Sequence, residues 1–333
     1  MDEVVQAGPG RRQASRLVRV TLTDASPDRL RLAAHAVVLR RDAAELQVGI
    51  DPAVVVPLAY GVLLDRLVGA SPEVAVLADA GRAGLPDEGT RAVLAALTAA
   101  GLLHRDAVPR PTPPVLRLVG AGPLARRTAS VLAAAGVRAF HVADLPGPPI
   151  PAPGVGPRLP DRVELLAGGL LRRHPDVVVH RLRHWAKPDG VRVDLTVVAA
   201  DGPETDRLVT DTLLAADQPH LLVRSSGEEV SVGPLVVPGR TSCVRCTDLH
   251  RRDADRQWPW VLAQLTRVRL EPAPSLLAWG SSCAAAQALA FLAGRLPESA
   301  GHTLELGTRD HALRMRPWPV HPECGCGWPG APV

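Results

Sequence analysis

The chain has 333 residues, 46% of them hydrophobic and only 3% aromatic, so it is long enough for two domains and must pack its core with Leu, Val and Ala. Its 38 basic and 34 acidic side chains leave a formal charge of +4 and a pI near 9.1, and Lys187 is the sole lysine among the basic residues. Arginines alternate with acids along most of the sequence, so the small surplus describes solvated faces and argues against a nucleic-acid partner. No run of 18 apolar residues occurs, and the N-terminus MDEVVQAGPGRRQ lacks a charged region followed by an apolar stretch. Neither a membrane span nor a signal peptide is expected. A cytoplasmic location follows, in which the five cysteines stay reduced and serve as packing residues, metal ligands or nucleophiles.

Residues 1–26 carry little apolar periodicity and are expected to form a tail or an edge strand. Residues 27–106 form a first compact region. HAVVLRR and ELQVGI predict two short strands joined by a turn at Asp42–Ala44. PLAYGVLLDRLVG has helical apolar spacing and stops at Gly69. In SPEVAVLADA, Ser71 is expected as the N-cap and Pro72 as the first helical residue. DEGTRAVLAALTAAGLLH predicts a third helix, ended by Gly101. Two strands and three short helices make a winged-helix-like α+β unit. AVPRPTPP, residues 107–114, is a proline-rich linker.

Residues 115–333 have a different pattern. VLRLVG is a continuous apolar run, the mark of a buried parallel strand. GPLARRTASVLAAAG predicts a helix ending at Gly136, and VRAFHVAD a second strand. LPGPPIPAPGVGPRLP, residues 145–160, is a loop too rich in Pro and Gly to be helical. A helix and a strand are expected within 161–181, followed by the strand VDLTVVAAD ending at Asp201, the helix ETDRLVTDTLLAAD and the strand HLLVRS. This alternation predicts a doubly wound, Rossmann-like, mostly parallel α/β sheet.

VGAGPLA places Gly120 and Gly122 between a strand and a helix, with Asp144 ending the next strand. Glycines permit a tight turn and let backbone approach a phosphate at the helix N-terminus, while the acid can accept from a ribose. The same pattern also suits an inherited turn that holds no nucleotide. CVRC sets Cys243 and Cys246 at the spacing that turns two thiolates toward one metal, and ECGCG adds Cys324 and Cys326. Together they supply the four ligands of a closed structural zinc site, with Gly325 easing the tight C-x-C turn. His321 is an alternative ligand. Two pairs so far apart would fasten the end of the chain to the sheet region. Cys283 lies in an apolar helix and reads as a small buried residue.

These segments resemble the E1-like ThiF/MoeB superfamily: VLRLVGAGPLARRTASVLAAAGVRAFHVAD, a strand ending in Asp, VGPLVVPGRTSCVRC and a C-terminal cysteine pair, over about 113–327. The winged-helix-like part upstream resembles the leader-peptide-binding ThiF-like proteins of thiazole/oxazole-modified peptide biosynthesis. Active members adenylate the C-terminal carboxylate of a ubiquitin-like or sulfur-carrier protein with ATP and Mg²⁺, commonly as homodimers. The resemblance implies Gly120 and Gly122 for the phosphates, Asp144 for the ribose and Asp201 beside Mg²⁺. Arg126, Arg127 or Arg158 would replace a missing cation, with Asp201 and Arg127 as the catalytic candidates. The family's Asn…Arg-Gln motif is absent from 145–160, Asp201 is followed by Gly202, and Lys187 falls in a loop. The nucleotide site therefore reads as degenerate. What the resemblance implies is a scaffold that binds a precursor's leader region and presents it to a YcaO-type cyclodehydratase; the alternative is an active adenylyltransferase. A DNA-binding winged helix is disfavoured because TRAVLAALTAAG carries one basic residue, Arg91. An NAD-type oxidoreductase is disfavoured by the paired thiols. In relatives the stretch after the first thiol pair, residues 250–265, becomes a mobile loop crossing the nucleotide, with Trp258 and Trp260 as pocket anchors or core residues.

Overall fold

The structure, a computed structural model, describes residues 29–33, 35–106, 113–145, 161–186 and 190–327. The expected tail at 1–26, most of the linker, nearly all of the 145–160 loop, Arg158 and Lys187 lie outside the described residues. The chain divides into two compact units, Met1–Pro109 and Arg110–Val333.

In the first unit the elements run β1 (Arg29–Leu32), β2 (Val38–Arg40), β3 (Glu45–Val48), β4 (Val54–Pro57), α1 (Gly61–Val68), β5 (Ser71–Pro72), α2 (Glu73–Arg82), α3 (Asp87–Ala99) and β6 (Leu103–Asp106). They make two antiparallel three-stranded sheets, ordered β5-β1-β6 and β2-β3-β4. The turn between β2 and β3 closes because the Asp42 carboxylate accepts from the amides of Ala44 (2.7 Å) and Glu45 (3.0 Å). Leu30, Val48, Leu63, Leu64, Leu67 and Leu97 form the core. Two expectations are corrected. Among the described residues the unit has six strands where two were expected, and Ser71 does not cap α2. Ser71–Pro72 pairs with β1, so the helix starts only at Glu73, and the Ser71 hydroxyl donates to Arg66 O at 3.1 Å.

The second unit begins with β7 (Val115–Val119), α4 (Pro123–Ala134), β8 (Ala139–Ala143), α5 (Arg162–Arg173), β9 (Val178–Arg181), β10 (Leu195–Ala199), α6 (Arg207–Ala215) and β11 (His220–Ser225). It continues with β12 (Glu229–Val236), α7 (Val244–Ala254), α8 (Trp258–Leu265), α9 (Pro274–Leu292), β13 (His302–Gly307) and β14 (Leu313–Pro317). One sheet of eight strands results, ordered β14-β13-β12-β11-β10-β7-β8-β9. The five strands from β11 to β9 are parallel and β12, β13 and β14 run antiparallel, so the fold is α/β with a mostly parallel central sheet. The chain lays β8 and β9 on one side of β7 and returns to place β10 on the other. The crevice between the β7 and β10 ends is thus a switch point, where such sheets bind ligands.

Helix α9 packs on α4 and β12. Among the described residues this one helix is long and apolar enough to cross a bilayer by length and composition; many of its residues, Ala284, Ala285 and Ala288 among them, belong to the main core. Residues 250–265 are also corrected: they are largely helical, in α7 and α8, with Trp260 74% exposed and therefore not a core residue.

His220 opens β11 fully buried. Its Nδ1 lies 2.9 Å from Gln218 O, and Nε2 has no hydrogen-bond partner among the described residues. Burial pushes its pKa down to about 4 from 6.5, so the unfolded chain takes the proton first. Stability from this group is complete above pH 6.5 and is lost as pH falls toward 4, by about 3 kcal/mol. Denaturant midpoints measured across that window should decline for the native chain and stay flatter for His220→Leu.

Candidate functional site

At the switch point Gly120 has φ +118°, and its amide donates to Ala143 O at 2.8 Å. A Cβ there would run into the carbonyl oxygen of Ala199 on β10, so the loop lies against the neighbouring strand's backbone. Gly122 caps α4, with Pro123 at the first helical position, and its missing side chain leaves the space that the Asp201 carboxylate occupies.

Asp144, just past β8, accepts through Oδ1 from the amides of Ala121 (3.1 Å) and Leu145 (2.9 Å). Its Oδ2 is 3.5 Å from Arg162 Nε, and the same guanidinium is paired with Asp201 Oδ2. Arg162 is set by the N-terminus of α5, where Asp161 caps the helix by accepting from the Val163 amide at 2.8 Å. The other Asp201 oxygen, Oδ1, is buried and unpartnered among the described residues. Gly122, Arg126, Asp144, Arg162, Asp201 and Arg269 line a cavity of about 520 Å³. Three guanidiniums, two carboxylates and a helix N-terminus can receive a phosphate chain, and the lone Asp201 oxygen can face a divalent cation.

The structure thus brings together Gly120, Gly122, Asp144 and Asp201. Arg127 is not among them: it points to a separate cavity of about 710 Å³ with Arg126, Arg172 and Arg173. Arg162 takes the place beside the acids. Arg162 was not among the expected site residues, although an Asp-Arg pair opening the helix after the Pro/Gly loop was the available signal.

Cys243 is the N-cap of α7, Cys246 lies in its first turn, and Cys324 and Cys326 approach from the C-terminal segment. All four sulfurs lie within 4.8 Å of one another, with Cys243–Cys324 at 3.4 Å, Cys246–Cys326 at 3.3 Å and Cys243–Cys246 at 3.9 Å. Sulfurs bound to one tetrahedral ion at about 2.3 Å stand about 3.8 Å apart, so this cluster could hold a metal ion. Gly325, at φ +71°, makes the turn that points Cys324 and Cys326 the same way. The Cys246 thiol is pulled below its ordinary value, because Cys243 donates to it and the His321 amide, at 3.4 Å, does so too. His321 is not a ligand here: its Nε2 pairs with Asp253 at 2.8 Å and its Nδ1 accepts from the Glu323 amide at 3.1 Å. Cys283 stands apart on α9, half-buried, and burial pushes its thiol up to about 11.

No protein-family profile and no curated protein sequence matches the chain. Solved structures do. Escherichia coli MccB, crystallised with ATP, superposes with a TM-score of 0.62 at 15% identity, covering 90% of this chain and 100% of MccB. MccB crystallised with AMPCPP and MccA gives 0.61 at 15% identity, over 90% of this chain and 99% of that one. The heterocyclase TruD gives 0.53 at 20% identity, over 90% of this chain but 43% of TruD. With its glycine loop at the switch point and its four cysteines gathered, the chain has the fold of these structures.

Proposed function

We propose that this chain is an E1-like scaffold that binds the leader region of a ribosomal precursor peptide and presents it to a YcaO-type cyclodehydratase. The observation that carries this reading is the Arg162 bridge. The two carboxylates that the resemblance assigns to ribose and Mg²⁺, Asp144 and Asp201, are already paired to one guanidinium inside the chain. A nucleotide–metal complex would have to displace that guanidinium, which costs electrostatic energy an open site does not. The likeness to MccB crystallised with MccA and to the heterocyclase TruD supports the same reading.

The leader peptide would dock on the first unit, read as a winged helix. Strand β2 is an edge strand of its sheet, with Val38 and Leu39 about 40% and 46% exposed. An added strand gains backbone hydrogen bonds there, and its alternate side chains supply specificity. A cytoplasmic homodimer completes the reading, with zinc at the four cysteines, because a closed set of thiolates is the coordination that structural zinc takes.

A second reading is favoured by one observation: Gly122, Asp144 and the unpartnered Asp201 oxygen meet in a cavity of about 520 Å³. In that reading the chain adenylates the C-terminal carboxylate of a ubiquitin-like or sulfur-carrier protein. Pyrophosphate exchange with ATP–Mg²⁺ separates the two. The scaffold predicts no exchange above background together with saturable leader-peptide binding. Robust exchange dependent on Asp201 would overturn it.

A further inference from the structure

A third cavity, of about 290 Å³, opens at the ends of β10 and β11. Its floor is a knot of buried charge. Glu204, 3% exposed, accepts from three guanidiniums: Arg224 at 2.7 Å and Arg251 at 2.5 Å share Oε1, and Arg207 takes Oε2 at 2.8 Å. Arg207 also grips both oxygens of Asp248, at 2.6 and 2.8 Å. Three cations therefore meet two carboxylates, which leaves one positive charge in excess. Burial by itself would raise the Glu204 carboxyl, but the charges of Arg224, Arg207 and Arg251 hold it down at about 2, so it is ionised throughout the neutral range.

Arg224 is the under-satisfied member. It is 3% exposed, its carboxylate oxygen is shared with Arg251, and its Nε has no partner among the described residues. Buried guanidinium donors left unpaired are costly, so a site of this kind gains from an incoming acceptor. Arg251 is held in place over the Trp258 ring, 4.6 Å from its centroid, and Ser225 and Ser231 add hydroxyls to the wall.

We propose that this cavity is a carboxylate pocket, in which Arg224 and Arg251 grip an Asp or Glu side chain of a bound peptide. Of the other charges on the wall, Arg316 is paired with Glu305 and Glu229 adds a negative charge, so a dianionic phosphate is repelled there more than a monoanion is. Guanidinium forks match the planar carboxylate. The volume holds a side chain and lies below the usual range of ligand sites, about 300–1,000 Å³. The pocket shares a sheet edge with the glycine-loop crevice: the Ser225 amide donates to Gly202 O at 3.1 Å, one residue past Asp201. An extended peptide lying along the strand ends would meet both.

This inference rests on the reading that the chain handles a peptide. The test titrates the full chain with acetyl-Ala-Glu-Ala-amide and acetyl-Ala-Gln-Ala-amide, following the arginine Nε–H NMR signals. The Glu tripeptide should shift the Arg224 and Arg251 signals saturably and bind at least about tenfold tighter than the Gln tripeptide. Arg251→Gln, which leaves Glu204 its bonds to Arg224 and Arg207, should weaken the Glu tripeptide by about tenfold and leave the Gln tripeptide unchanged. If that variant unfolds, the Glu-against-Gln comparison on the native chain decides alone. Equal affinity for the two tripeptides, no binding of the Glu tripeptide, or displacement by inorganic phosphate at lower concentration overturns the pocket. A chain that binds a leader peptide but ignores the Glu/Gln difference loses the pocket while the scaffold reading stands.

Discussion

Replacing Cys246 with serine should release the metal and loosen the end of the chain, at a cost of about 4 kcal/mol or more. Cys246 is fully buried and touches two of the other three sulfurs, at 3.9 and 3.3 Å, so one hydroxyl in its place breaks the coordination set. Few other contacts hold residues 321–327 among those described. They include an isolated bridge between Gly239 and Gly327, the His321 amide on Cys246 Sγ, the His321 ring on Asp253 and edge-on to His250 at 4.7 Å, and the exposed Arg252–Glu323 ion pair. An exposed pair of that kind contributes little. The native chain should carry about one zinc per molecule by elemental analysis, because four thiolates close one tetrahedral site. A strong chelator should lower its melting temperature and open the C-terminal segment to protease. Cys283→Ser, which alters a thiol outside the cluster, should keep the metal and shift stability by less than about 1 kcal/mol. A native chain without metal, or a Cys246→Ser chain as stable as the native one, would remove the metal from the account.

The second large effect is expected at Gly120. Alanine there must hold φ near +118° and also place its methyl against the Ala199 carbonyl oxygen, a backbone atom in the middle of a sheet that cannot step aside. The conformational strain alone costs on the order of 1–3 kcal/mol, and the overlap adds to it, so a loss of about 3 kcal/mol or more is expected in denaturant unfolding. Gly122→Ala makes a telling contrast. Its φ of −79° suits any residue, and the obstacle is the Asp201 side chain, which can rotate away. That variant should lose less stability than Gly120→Ala while breaking the Arg162–Asp201 pair. A Gly120→Ala chain within about 0.5 kcal/mol of the native one would mean that the loop does not lie against β10 as described.

Much of the second unit was legible because its signals are local. The apolar runs VLRLV and LTVVA are buried on both faces and pair in parallel, and the helix between β7 and β8 ends where Gly136 takes φ +103°. The cysteine pairs were legible for a similar reason: C-x₂-C and C-x-C spacings each turn two thiols one way, whatever surrounds them. Other parts could not be read in this manner. β1, β4 and β6 are four residues each, too short for a period to stand out, and Ser71–Pro72 has the look of a helix start until β1 claims its backbone. Trp260 carries no local sign of being exposed, since exposure depends on what packs over α8.

The sequence by itself determined the alternation of strands and helices, the glycine turn after β7 and the residues of the cysteine cluster, since dihedral preference, hydrophobic period and ligand spacing act over a few neighbours. Tertiary structure alone decided which charges meet. Arg162 reaches Asp201 across 39 positions, and Arg251 reaches Glu204 across 47. A guanidinium's partner is chosen by the low-dielectric space it is buried in, and no stretch of sequence contains that space.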